Sequence, residues 1–162
     1  MLRKFILFIA ITLFSSTLNA QQSIPNITLK TVNGVKVQSN EFLNQDRFTI
    51  ISFWATWCIP CINELDAINE LYPSWKDKNI DVVAISTDDA RSKKRVRPMV
   101  SGKKWSFDVY SDTNQEFKRS LNVSGIPHTI VAYGSKIIHR RIGYSPGEEV
   151  DLFKIISNYN QE

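Results

Sequence analysis

The chain has 162 residues, 43% of them hydrophobic and 22% charged, with a formal net charge of +4. That length fits one domain plus an export segment, and the composition is that of an ordinary soluble domain able to bury a real core. Setting aside Arg3 and Lys4 leaves 18 basic against 16 acidic side chains, a margin too small to call for nucleic acid, and two cysteines are too few for a disulfide-stapled mini-protein.

Arg3 and Lys4 precede an almost unbroken apolar run from Phe5 to Phe14, followed by Ser15, Ser16, Thr17 and Leu18-Asn19-Ala20. A basic head, a short apolar stretch and a small residue at the boundary predict a secretory signal over residues 1–20, cut after Ala20. The folded domain is then expected over 21–162. The stretch is shorter than the roughly 20 apolar residues of a spanning helix, although an uncut leader would tether the domain to a membrane. No cysteine lies near the cut, so a lipid anchor on that residue is excluded. The protein is expected in the periplasm or another extracytoplasmic space.

Ile24 to Leu29 and Val35 to Val37 flank Asn33-Gly34, a strong hairpin signal. Ser39, Glu41 and Phe42 predict a short helical turn with a capping serine. Phe48 to Trp54 reads FTIISFW, β-branched and aromatic, as in a strand buried on both faces in mid-sheet. From Cys58 to Lys78, Ile62, Leu65, Ile68, Leu71 and Trp75 recur at helical spacing, and Pro73 predicts a kink or break. Ile80 to Ser86 is a second buried strand. Asp88 or Asp89 is placed to cap a basic helix running to about Val100. Phe107 to Tyr110 predicts a strand and Asn114 to Leu121 a helix. Thr129 to Tyr133 and Ile137 to Ile142 flank a Gly134-Ser135 turn, and Glu148 to Tyr159 is an amphipathic helix. There are no repeats. Strands alternating with helices and ending in a hairpin argue for an α/β layered domain.

Both cysteines lie in Trp57-Cys58-Ile59-Pro60-Cys61, between a buried strand and a helix. At a helix start, unpaired N–H groups and the positive dipole end favour a thiolate, the form that attacks disulfides. A second thiol one turn deeper can resolve the mixed disulfide. Pro60 suits a first turn that has no use for its missing N–H. A purely structural bridge closing so small a loop would stabilise little. A closed structural zinc site needs four ligands, and His128 and His139 have no ligand-like spacing. No metal and no cofactor is expected.

The segment WATWCIPC, Trp54 to Cys61, resembles thioredoxin-like proteins, which carry W-C-x-P-C after a central strand. Val123-Ser124-Gly125-Ile126-Pro127-His128-Thr129 resembles the segment that holds that family's cis-proline beside the redox pair. The resemblance implies a thioredoxin-like fold: a central mixed sheet flanked by helices, with an N-terminal hairpin and an extra helix–strand insertion. The leader, the long segment from Asp88 to Tyr110, and Glu64 three residues after Cys61 make the chain similar to the TlpA/ResA branch of exported reductases. By that resemblance Cys58 is the nucleophile and Cys61 the resolving thiol of a redox-active disulfide, with Glu64 and Pro127 beside them in catalysis. Trp57, Ile126 and His128 are then expected around the substrate.

The chain also departs from these relatives. Ser52 stands where thioredoxin has a buried aspartate, which leaves Glu64 as the candidate proton acceptor. Asp66 replaces the branch's usual proline, His128 its usual threonine, and Ile59 the glycine common inside thioredoxin's pair. Trp54 reads as core, His139 as surface, and the run from Arg91 to Arg97 as a solvated helix face. The resemblance implies a reductase of protein disulfides, recharged by a membrane thiol–disulfide electron donor and, in related proteins, serving cytochrome c maturation. Nothing in the sequence suggests an obligate assembly, and a monomer is expected. An oxidase or isomerase uses the same chemistry and stays open. A peroxiredoxin is disfavoured because Ile51 and Ala55 occupy the proline and threonine positions of its motif. A binding module with a vestigial disulfide would not turn over.

Overall fold

The computed structural model describes residues 22–159, and the leader expected over 1–20 lies outside them. In chain order the elements are β1 (Thr28–Thr31), β2 (Lys36–Gln38), β3 (Phe48–Trp54), α1 (Ile59–Lys76), β4 (Ile80–Ser86), α2 (Val96–Lys103), β5 (Asp108–Ser111), α3 (Glu116–Ser120), β6 (His128–Tyr133), β7 (Lys136–Ile142) and α4 (Glu148–Ser157). The strands form one seven-stranded sheet in the order β2-β1-β5-β4-β3-β6-β7. β3 pairs parallel with β4 and antiparallel with β6, so its apolar run is sealed on both edges as well as both faces.

The period-two alternation of strand side chains divides the core. Ile50 and Trp54 of β3 join Cys61, Leu65, Ile68 and Trp75 of α1, Val96 of α2 and Leu152 and Ile156 of α4 on one face. Ile51 and Phe53 join Phe117 of α3, Leu121, Leu29 and Ile24 on the other. A buried side chain of this size contributes about 1.5–3 kcal/mol, so β3, with six of its seven residues buried, anchors both layers. The insertion supplies α2 to the first face and sends β5 between β4 and β1.

Several local expectations change. α1 does not break at Pro73; it continues to Lys76, because Tyr72 and Trp75 are packed into the core on either side of the proline. Ser39 caps nothing: Gln38 and Glu41 close the capping box of a single 3-10 turn. The buried Ser39 hydroxyl instead accepts from the Ile27 amide and donates to the Pro25 carbonyl. Ile24 to Ile27 does not extend β1, because this segment packs across the second face, where the Ile24 amide donates to Ser135 O at 2.8 Å. Asp89 accepts from the amides of Arg91 and Ser92, so it closes a turn, and the helix starts only at Val96. The basic side chains from Arg91 to Arg97 are exposed on that turn and the start of α2 rather than along one long helix. α4 ends at Ser157, with Tyr159 turned edge-on against Phe48.

Candidate active site

β3 delivers the chain to its C-terminal end, where Ala55, Thr56 and Trp57 lead into α1. The Cys58 amide donates to Ala55 O at 3.0 Å, and the Cys58 carbonyl accepts from Ile62 N at 3.1 Å. Cys58 is thus the N-cap of α1, with extended backbone at φ −95° and ψ 93°, and Pro60 sits in the first turn. Cys58 and Cys61 form a disulfide, with Cα atoms 5.3 Å apart. Cys58 is 6% exposed and Cys61 fully buried, which makes Cys58 the outer sulfur. Trp57 and Ile59 project into solvent on either side of it, 62% and 71% exposed.

The Ile126–Pro127 peptide is cis. β6 begins at His128, opposite Phe53, so Pro127 arrives at the same end of the sheet as the segment that carries the disulfide. The Pro127 carbonyl accepts from Gly143 N at 2.8 Å, which ties this turn to the end of β7. Ile126 is half-buried and touches both core layers.

His128 lies elsewhere. It packs edge-on against Phe53 with ring centroids 6.4 Å apart. Phe53 belongs to the face of the sheet opposite Cys61, so the imidazole points away from the layer that holds Cys61. Burial, and then the charge of Arg140, lower its pKa below the ordinary value. His139 is half-buried rather than on the surface, because β7 packs beside the first core face. Its pKa is also lowered, by burial and then by Arg141.

Glu64 follows Cys61 by one helical turn on the same face of α1 and has no exposed surface. Its carboxylate accepts from Ser52 Oγ at 2.9 Å, Thr129 Oγ1 at 2.7 Å and Arg141 Nη2 at 2.9 Å. Ser52 pairs with Thr129 across β3 and β6, and Thr129 with Arg141 across β6 and β7. The three donors form one row across the sheet, and α1 lays Glu64 over it. Ser52, standing where thioredoxin has its aspartate, becomes a donor to the carboxylate supplied from the helix.

Three contributors escaped the sequence reading. Arg141 lies in a plain strand pattern, and only the register places it opposite Thr129. Asp88, read there as a helix cap, is 1% exposed and accepts from Thr56 N at 2.9 Å, Thr56 Oγ1 at 2.6 Å and Ser86 Oγ at 2.9 Å. Asp88 and Thr56 together pin the segment immediately before Trp57 and Cys58. The available signal was polar residues at the ends of two apolar strands, a pattern that also fits a surface loop. Trp54 is core as expected, edge-on to Trp105 at 5.1 Å. Ile51 and Ala55, where a peroxidatic motif would need proline and threonine, are buried and apolar.

Known proteins resemble this chain in sequence and in fold. A thioredoxin-like protein from Porphyromonas gingivalis is 35% identical, with a TM-score of 0.70 over 85% of this chain and 94% of that one. The StoA structure from Bacillus subtilis shares the fold at 21% identity and a TM-score of 0.66, over 82% of this chain and 97% of that one. The thiol–disulfide oxidoreductase ResA of Bacillus anthracis is 27% identical over 78% of this chain and 72% of its own length. The expected thioredoxin-like fold and the enzyme class, thiol–disulfide oxidoreductase, both stand. The model of the AhpC/TSA family matches residues 20–141, and the chain belongs to that family.

Proposed function

We propose that this thiol–disulfide oxidoreductase is a reductase of protein disulfides outside the cytoplasm, with Cys58 as nucleophile and Cys61 as resolving thiol. The observation that carries the reading is the Cys58–Cys61 disulfide at the start of α1, with Cys58 the outer sulfur beside exposed Trp57. In the reduced enzyme the helix N-terminus favours the Cys58 thiolate. It attacks a partner disulfide, forms a mixed disulfide and expels one partner thiolate, which takes up a proton. The Cys61 thiol gives its proton to the Glu64 carboxylate, and its sulfur attacks the Cys58 sulfur. The Cys58–Cys61 bond forms, the bond from Cys58 to the partner breaks, and the second partner thiolate leaves and is protonated from solvent. Two electrons pass from the pair to the partner disulfide.

Trp57, Ile126 and the backbone at Pro127 border the place where an extended partner segment would lie. The leader pattern of residues 1–20 supports an extracytoplasmic setting, free or tethered, and a membrane thiol–disulfide carrier would return the pair to the dithiol. Substrates of the type matured in cytochrome c assembly are the narrower reading, and the enzyme would act as a monomer.

The test is turnover of insulin disulfides by the purified protein with dithiothreitol, alongside equilibrium titration of the pair. Turnover is expected, and Cys58→Ser should abolish it. A potential well below the ~−180 mV of protein disulfide isomerase supports the reductase, and one near or above it supports an oxidase or isomerase. A pair that cannot be cycled removes the redox role altogether.

A further inference from the structure

We propose that Arg141 is a positioning residue for the exchange reaction: it aims the Glu64 carboxylate and supplies its counter-charge, which keeps that group able to receive the Cys61 proton. The proposal rests on the reading of Glu64 as proton acceptor. A carboxylate with no exposed surface is costly unless a cation and further donors meet it. Among the described residues the ion-pair partner of Glu64 is Arg141, whose side chain is 15% exposed.

The guanidinium is itself held at its other end. Arg141 Nη1 donates to the Glu148 carbonyl at 2.6 Å, and Nε lies 3.9 Å from the Glu148 carboxylate. The cation is therefore clamped between the start of α4 and Glu64. Ser52 and Thr129 fix the carboxylate from β3 and β6, and Arg141 completes the row from β7. The other ionisable groups around the pair are Cys61 on the same helix, Glu148 and Asp151 on α4, His139 on β7, whose pKa is lowered by burial and then by Arg141, and Tyr144, whose pKa is pushed up to about 12 by burial and then by its hydrogen bond to Glu149. None of these is a cation at neutral pH, so the counter-charge depends on Arg141.

The chemical consequence follows from charge. Without the cation, burial favours a neutral carboxyl. A neutral carboxyl has no site for the proton of Cys61, so the resolving thiol stays protonated and attacks slowly. The first attack by Cys58 uses no proton acceptor of this kind and should be spared.

The experiment is stopped-flow reaction of the reduced, full-length protein with the aromatic disulfide dithiobis(nitrobenzoate). The first thionitrobenzoate released reports attack by Cys58, and the second reports resolution by Cys61. Arg141→Met is expected to slow the second release by about tenfold or more at neutral pH, part of what a positioned proton acceptor supplies. The first release should keep its rate. Raising the pH should recover the second release, and Arg141→Lys should restore it toward the wild-type rate. In a Glu64→Gln background, Arg141→Met should add nothing. A wild-type rate in Arg141→Met, an equal loss in both backgrounds, or no rescue by lysine or by alkali would overturn the role of Arg141. If Arg141→Met does not fold, Arg141→Gln, which keeps an amide donor without the charge, replaces it. Equal resolution by Glu64→Gln and wild type would instead remove Glu64, and absence of any release from the wild type would remove the oxidoreductase reading beneath both.

Discussion

Two buried carboxylates stand beside the disulfide, and their partners differ in kind. Asp88 is held by neutral donors, two from Thr56 and one from Ser86. Glu64 is held by two hydroxyls and a guanidinium from three different strands, with Arg141 77 positions away along the chain. Asp88 organises backbone, since one of its donors is the amide two residues before Cys58. Among the described residues Glu64 accepts from no backbone amide in this way, and its partners instead fix its orientation and charge. One group shapes the loop that presents Cys58, and the other is a fixed, charge-paired carboxylate one turn beyond Cys61.

The comparison can be broken most forcefully at the ion pair. Glu64→Leu leaves the Arg141 charge without its partner and should cost about 3 kcal/mol or more in urea unfolding. The double variant Glu64→Leu/Arg141→Met should recover most of that loss, since an apolar pair can replace a buried ion pair. Strictly additive losses would mean that the two side chains do not work as a unit.

Asp88→Ala comes next. It leaves the Thr56 amide and two hydroxyls without their acceptor, at about 2 kcal/mol. Because the loop before Cys58 loses its tether, insulin reduction should fall as well. Unchanged activity at reduced stability would show that the tether serves folding alone.

The pH dependence of stability sharpens the contrast between the two faces of the sheet. The imidazole of His128 has its pKa lowered by burial and then by Arg140. Between that lowered value and about 6.5 the unfolded chain binds the extra proton, so stability falls as pH drops through this window and is restored above it. His128→Gln should flatten that part of a Tm-against-pH profile, while the rate of Cys58 attack keeps its own pH dependence because the ring sits on the opposite face. A shifted pH–rate profile would instead tie His128 to the thiol.

The smallest stability effect belongs to the rim. Trp57 is 62% exposed, so Trp57→Ala should change unfolding free energy by no more than about 0.5 kcal/mol. Its effect should appear in KM for a protein disulfide, with kcat for a small disulfide preserved. A large stability loss would mean that the indole is structural.

Much of this site could be read along the chain. Cys58, Pro60 and Cys61 are close in sequence, and their meaning depends on a strand before them and a helix after them, both encoded by local apolar periodicity. Glu64 came with the resemblance, three residues after Cys61. The cis peptide at Pro127 and the hairpin of β6 and β7 came with the resemblance and the turn at Gly134. Local reading failed where a residue had two plausible partners. Asp88 and Ser39 each sit where a helix cap belongs, yet each turns inward to satisfy a distant amide. Pro73 carries a helix-breaking signal that core packing at Tyr72 and Trp75 overrides.

The amino-acid sequence by itself determined the Cys58–Cys61 spacing, the strands and helices around it, and the layered fold, because each rests on spacing within a few residues. The tertiary structure alone decided which face His128 takes and which cation meets Glu64. Both follow from sheet register, where a shift of one residue would turn Arg141 and Thr129 away from the carboxylate and bring His128 toward it. Register is set by packing of the whole sheet between its helices, and no short stretch of the chain encodes it.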